Sequence, residues 1–267
     1  MEGNENLRRC QLVQLRVLHA IDDVCKKCGV EYFLESGTLL GALRHDGFIP
    51  WDDDLDIGMT TPNYRKFLEV APALLPKTMC LQLPSQTPHF AIPFAKVRVL
   101  NSFYFEKRCD IRTSDPSGIY VDIFPYEELP NVGRFLQKVV VGICGGTWHR
   151  TRYFYRVAAE HPFCGIFFAS LAFMCAVLHG ISRAVANALK LIPGRTHWTF
   201  IYERGEKRRF RNEWIASSVL HKFEDGEFPV PIGSDDILKT WYHDWHWIPP
   251  PEKRPRHARI IDPFHAA

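Results

Sequence analysis

The sequence of 267 residues predicts an α/β protein, and three observations carry that prediction. Short apolar or β-branched runs, such as Leu55–Met59 and Ile119–Phe124, alternate with segments of helical periodicity, such as Leu7–Cys28. Glycines and prolines stand where such elements should stop. Residues 134–192 form a long apolar stretch of helical character. Hydrophobic residues are 46% and charged residues 24%, which excludes a disordered or low-complexity chain. Lys plus Arg is 33 against 30 for Asp plus Glu. A balance that even argues against an acidic tail or a dedicated nucleic-acid coat, so no nucleic-acid partner is expected.

The elements follow in order. Leu12, Leu15, Leu18 and Val24, with Ile21 between, form a helical stripe, and Gly29 is its stop. Tyr32–Leu34 is short and extended. Ser36–Arg44 is a tight turn entering a helix, and Gly47–Pro50 is a loop. Leu55–Met59 is a strand. Pro62 suits the first turn of a helix that Asn63–Ala71 continues. Pro84, Pro88 and Pro93 punctuate the next section, before strands at Lys96–Leu100 and Ile119–Phe124. The end of the chain is rich in Trp and Pro. We find no internal repeat, and we expect one domain, 1–267, with 134–192 as an apolar helical insertion within it.

The first 24 residues hold no uninterrupted apolar run, so no secretory signal is expected. Eight scattered cysteines fit reduced thiols, and a cytoplasmic location is expected. Phe163–Ser182 carries no formal charge with His179 neutral, and its 20 residues match a membrane span in length. It has three readings: a buried helix, an interfacial or re-entrant helix, and a span. Spanning is disfavoured, because the chemistry below needs chain from both sides of it. The apolar run Phe135–Cys144 allows a paired hairpin, and residues 163–182 then offer peripheral membrane contact. The basic run Arg204, Lys207, Arg208, Arg209 and Arg211 suits anionic lipid or phosphate, or a solvated face.

Chemistry concentrates at Trp51–Gly58. Asp52, Asp53, Asp54 and Asp56 place four carboxylates in five residues, with no Lys or Arg among them. Two such charges about 5 Å apart repel by roughly 3 kcal/mol at an effective dielectric of about 20. A hard divalent cation is the natural counter-charge, which points to Mg²⁺ (or Mn²⁺). On an extended chain Asp54 and Asp56 share one face, about 7 Å apart, while Leu55 and Ile57 enter the core. A calcium-binding EF-hand loop is excluded: it needs Gly where Ile57 stands and Glu where Asn63 stands. A third acid, Asp122, interrupts the apolar strand of Gly118–Pro125. A lone buried Asp is costly unless paired or metal-bound.

Upstream, Ser36, Gly37, Thr38 and Gly41 are small residues at a helix start, where backbone N–H groups can approach a phosphate. Arg44, Lys96 and Arg98 are candidate phosphate partners, or surface charges. A turn for phosphate, two acids for metal and a third acid for metal or a proton is the logic of a nucleotidyltransferase site. Other signals are weaker. Cys25 and Cys28 have zinc-like spacing, but no second pair matches and helical packing is the simpler account. His243 and His246 sit among Trp241, Trp245 and Trp247 as a packed aromatic tail. Neither a Walker-type glycine loop nor a GxSxG motif occurs.

The run YFLESGTLLGALRHDGFIPWDDDLDIGM, Tyr32–Met59, resembles the signature of the LicD family, which includes bacterial phosphocholine transferases and shares its core with fukutin and fukutin-related protein. GIYVDIFP at Gly118–Pro125 resembles the family's third-carboxylate strand. FEDGEFPVP at Phe223–Pro231, with the aromatic-proline end to His257, resembles its C-terminal motif. The resemblance implies an α/β (α+β) fold, a nucleotidyltransferase-like mixed sheet with flanking helices. It implies a transferase that moves a phospho-alcohol (phosphocholine-like) head group from a CDP-alcohol donor to a glycan or glycolipid hydroxyl. It gives Asp54, Asp56 and Asp122 the metal and catalytic roles, and Gly37 and Thr38 the phosphate turn. Two departures stand out. Glu35-Ser36 precedes Gly37 where many relatives have Gly next to Gly, though Ser stays small and adds a donor. The apolar middle exceeds that of a soluble bacterial member. Two rival readings are a nucleotidyltransferase that moves an NMP group onto an acceptor and a non-catalytic glycan-binding relative.

Overall fold

A computed structural model describes residues 2–84, 92–106, 118–131, 134–161, 164–202, 209–254 and 258–262. In chain order the elements begin α1 (Glu2–Cys28), β1 (Phe33–Leu34), α2 (Ser36–His45), β2 (Asp56–Thr60), α3 (Thr61–Leu74), β3 (Met79–Gln82), β4 (Ala95–Val99), β5 (Phe103–Glu106) and β6 (Tyr120–Pro130). They continue with α4 (Arg134–Glu160), α5 (Gly165–Leu189), β7 (Thr196–Thr199), β8 (Arg209–Arg211), α6 (Asn212–Ile215), β9 (Ser218–Phe223), β10 (Gly226–Pro231), α7 (Ser234–Tyr242) and β11 (Ala258–Asp262). The architecture is mixed α/β, as predicted. The chain divides into two compact units: Met1–Leu83, Phe94–Pro125 and Glu213–Ala267 form the first, and Pro84–Pro93 with Tyr126–Asn212 the second. The helices of the 134–192 stretch belong to the second, together with β7 and β8.

In the first unit the strand order is β1-β2-β6-β4-β3. β1 runs antiparallel to β2, with Leu34 opposite Ile57, and β4 antiparallel to β6, with Lys96 opposite Asp122. The helix α1 forms because Leu15, Leu18, Ile21 and Val24 recur on one side, and all four are buried. It starts earlier than the predicted Leu7 and ends at Gly29, whose φ of +59° suits a left-handed helix stop. Pro62 stands in the first turn of α3, as its fixed φ favours. The hairpin β9–β10 and the pair β5–β11 complete the unit.

β6 outruns its predicted end at Phe124 and continues to Pro130. Its last residues, Glu127–Pro130, pair with β7 in the second unit. Glu127 is buried there because Arg183 and Lys190 of α5 hold its carboxylate at 2.6 and 2.9 Å. The helices α4 and α5 run antiparallel: Cys144 Sγ donates to Ser182 Oγ at 3.2 Å, and Thr147 Oγ1 lies 3.2 Å from His179 Nδ1. Leu129, Val140, Val141, Cys144, Ala186 and Ile201 form the core between these elements. The buried-helix reading of residues 163–182 is corrected here: only 17% of the most apolar window of α5 is buried. Arg204, Lys207 and Arg208 of the predicted basic run lie outside the described residues, while Arg209 donates to Asn131 Oδ1 at 2.8 Å. Cys25 and Cys28 are free thiols, and burial pushes Cys25 up to about 12, as fits a packing residue.

Candidate active site

The acidic run is held by its backbone. From α1, Gln11 Nε2 donates to Asp52 O at 2.9 Å, and Gln14 Nε2 donates to Asp53 O at 3.0 Å and Tyr120 O at 3.4 Å. Both glutamines are buried, so these amides satisfy carbonyls that water cannot reach. Asp56 N–H then donates to Thr38 Oγ1 at 2.8 Å, and Asp56 O accepts Glu35 N–H at 3.0 Å. Leu55 and Ile57 are fully buried, matching the predicted alternation. Within this frame, ligand atoms of Asp52, Asp53 and Asp54 all lie within 4.8 Å of one another. Burial together with Asp53 and Asp54 pushes the Cys10 thiol and the Tyr104 phenol upward.

The small-residue turn meets this run directly. Ser36 opens α2 with a φ of 50°, a left-handed conformation that costs a non-glycine residue on the order of 1 kcal/mol. A Cβ on Gly37 would come within 2.4 Å of Asp52 Oδ2. Glycine at this position therefore lets the carboxylate close on the helix start. Gly41 serves the next turn: a Cβ there would meet Gly47 O at 2.4 Å. Thr38 is committed to Asp56 through the bond already described.

Asp122 sits on the neighbouring strand. Its N–H donates to Leu55 O at 2.9 Å, which sets it beside the stretch from Asp54 to Asp56. The carboxylate is 2.8 Å from Lys96 Nζ. Lys96 is only 1% exposed and lies 3.3 Å from the centroid of the Tyr120 ring. A buried ammonium needs both a counter-charge and a polarisable face, and this one has both.

The three cations expected as phosphate partners meet a different arrangement. Lys96 pairs with Asp122. Arg98 Nη1 donates to Gly118 O at 2.6 Å, with Nε on Gln82 Oε1, and so ties strands together. Arg44 Nη1 donates to Trp245 O at 2.9 Å and Trp247 O at 3.0 Å, which anchors the aromatic tail to α2. Each has a structural partner because each lies where a solvated guanidinium or ammonium would lose its water.

One site element escaped the sequence reading. Glu224, at the β9–β10 turn, accepts Phe48 N–H at 3.0 Å and takes two bonds from Arg8, at 3.0 and 2.6 Å. Its own N–H donates to Asp46 O at 2.8 Å. The Arg8 bonds hold the Glu224 carboxyl below its ordinary range. Gly47 leaves room for it, since a Cβ there would lie 2.6 Å from Glu224 Oε1. The loop before the acids is thus gripped by the FEDGEFPVP segment, a role no local signal announced.

An all-carboxylate set on a rigid loop, beside a glycine-opened helix start, suits a hard divalent ion and a phosphate. Residues 29–175 match the model of the LicD/FKTN/FKRP nucleotidyltransferase domain. The chain is 26% identical over 275 residues to the lipopolysaccharide cholinephosphotransferase LicD of Haemophilus influenzae, covering 95% of this chain and 96% of that protein. It is 56% identical over 36 residues to the human ribitol 5-phosphate transferase FKRP, covering 14% of this chain and 7% of that protein. An uncharacterised Rickettsia prowazekii protein is 60% identical over 37 residues, 14% of each chain. The fold, the acid-bearing strand and turn, and the domain match together make this chain a member of the LicD/FKTN/FKRP nucleotidyltransferase-domain family.

Proposed function

We propose that the protein is a transferase that moves a phospho-alcohol head group, phosphocholine or a relative, from a CDP-activated donor to a hydroxyl of a glycan or glycolipid. The observation that supports this reading is the gathering of the Asp52, Asp53 and Asp54 carboxylates beside the Gly37 turn, with the backbone of Asp122 bonded to Leu55 on the next strand. Full-length similarity to a lipopolysaccharide cholinephosphotransferase supports the phosphocholine class, and the FKRP match extends it to phospho-alcohols in general.

In the reaction an acceptor hydroxyl oxygen attacks the phosphorus that bears the alcohol and gives its proton to a carboxylate of the acidic site, while the bond to the bridging oxygen breaks and CMP leaves with that electron pair. Asp54 and Asp56, with Asp122 from the next strand, would hold Mg²⁺ (or Mn²⁺). Asp52, Asp53 and Asp54, whose oxygens gather within 4.8 Å of one another, fit such a hard ion, whereas Asp122 already has Lys96 at 2.8 Å as a counter-charge. When bound, such an ion supplies charge neutralisation for a diphosphate. The rest falls to the protein. The N–H groups at the start of α2 would bind an anionic phosphoryl oxygen, at a turn where Gly37 gives the Asp52 carboxylate room to approach. Gln11 and Gln14 fix the loop so that the carboxylates need no reorganisation. Lys96 pins the Asp122 carboxylate in place through their 2.8 Å contact.

The test is CMP release from CDP-choline in the presence of Mg²⁺ and a glycan acceptor, with Asp54→Asn alongside the wild type. We expect the variant to lose on the order of 10²–10⁴ in rate, about 3–5 kcal/mol of barrier. Equal rates would remove Asp54 from the site. Pyrophosphate in place of CMP would identify NMP transfer instead.

A further inference from the structure

α5 is built inside out. Its buried residues are small: Ala172, Cys175, Ser182 and Ala186. His179 and Arg183 lie half-buried on that same side. Its exposed side carries Ile166, Phe173, Met174, Leu178, Ile181 and Val185, with Ile166 87% and Phe173 67% exposed. Ile166 and Phe173 stand seven residues apart, two helical turns, and from Met174 the spacing is four, three and four, so they form one broad strip along the helix. None of the exposed residues of α5 bears a formal charge. A helix on a water-facing surface has the opposite pattern, with large apolar side chains turned inward. Small residues at the helix–helix contact and large apolar ones outside is the arrangement of helices that meet lipid.

Charge selects the kind of surface. Between Arg134 and Ile192 stand seven Lys or Arg and one acid, Glu160, in a chain whose net charge is only +3; Arg183 and Lys190 pair with Glu127, which leaves five cations to that one acid. A second copy would bring the same positive excess against it, whereas an anionic bilayer brings the opposite sign. On α4, Phe135 and Ile143 add exposed apolar area. The polar inner side of α5, with Ser182, His179 and Arg183, fits a helix lying in the membrane plane rather than crossing it.

We propose that the outer face of α5 is a membrane-docking surface that seats at the headgroup–acyl boundary of an anionic bilayer. This is independent of the proposed transfer reaction. The experiment is flotation of the full chain with vesicles of phosphatidylglycerol and phosphatidylethanolamine, against vesicles of phosphatidylcholine alone. We expect at least about tenfold more protein on the anionic vesicles, and about a tenfold loss for the double variant Phe173→Glu, Leu178→Glu. An unchanged thermal midpoint establishes that the variant is folded; should it unfold, Phe173→Ser with Leu178→Ser replaces it, and the same loss is expected. Absence of binding to anionic vesicles overturns the proposal, as does equal binding by wild type and variants. So does a wild-type dimer in sedimentation that the variant dissociates while vesicles capture neither.

Discussion

Two helices of nearly equal length, α1 with 27 residues and α5 with 25, solve opposite problems. α1 buries Leu15, Leu18 and Ile21 and turns most of its charges to water, Asp22 being buried against the Tyr32 hydroxyl. It also buries Gln11 and Gln14, whose amides meet the carbonyls of the acidic loop. α5 buries alanine, serine and cysteine and turns phenylalanine, methionine and leucine outward. Helical periodicity identifies two unlike faces in both. It does not say which face meets the protein; that depends on what stands opposite.

The sharpest way to break this contrast is truncation on each helix. Leu18→Ala should cost about 3 kcal/mol by leaving a cavity in a fully buried stripe, while Phe173→Ser should stay within about 0.5 kcal/mol in detergent-free buffer. Urea denaturation measures both, and equal losses would mean that α5 packs its outer face after all. A second test asks what acid does to the unit that carries α5. Burial, aided by Arg209, holds the His197 imidazole down to about 4. The folded chain thus refuses a proton that the unfolded chain accepts. The stability this contributes is full above about pH 6.5 and drains as pH falls towards the folded value, by about 2 kcal/mol after allowance for solvent screening. His197→Gln should flatten that part of the pH–stability curve, measured as the difference from wild type between pH 7 and pH 4.5. The smallest effect belongs to the polar side of α1. Gln14→Leu strands the carbonyls of Asp53 and Tyr120 and should cost about 1–2 kcal/mol. It should also slow CMP release, since the loop loses a tether. A stable variant with full turnover would show that the loop holds its shape unaided.

What could be read in advance was contiguous chemistry. Asp52 to Asp56 and Ser36 to Gly41 announce themselves because neighbours in the chain share one task. Asp122 was visible because a carboxylate in an apolar strand is out of place. The glutamines of α1 were silent, since a polar residue on a helix ordinarily means a wet face and their partners lie about forty positions away. Arg44, Lys96 and Arg98 looked available for phosphate because sequence cannot show the carbonyl or carboxylate that already engages them. The strand β10 was hidden by Pro229 and Pro231, which argue against a strand when read from sequence. β6 was cut short because Pro125 and two glutamates resemble a loop, and only the cations of α5 make Glu127 tolerable in a strand.

The Arg8–Glu224 pair joins positions 216 residues apart, and the same Glu224 grips Phe48. During synthesis the ribosome must therefore add 216 residues after Arg8 before that grip can close. Until then the nascent chain carries its run of aspartates with this clasp still open. The loop before the aspartates is thereby gripped only after the β9–β10 turn has been made.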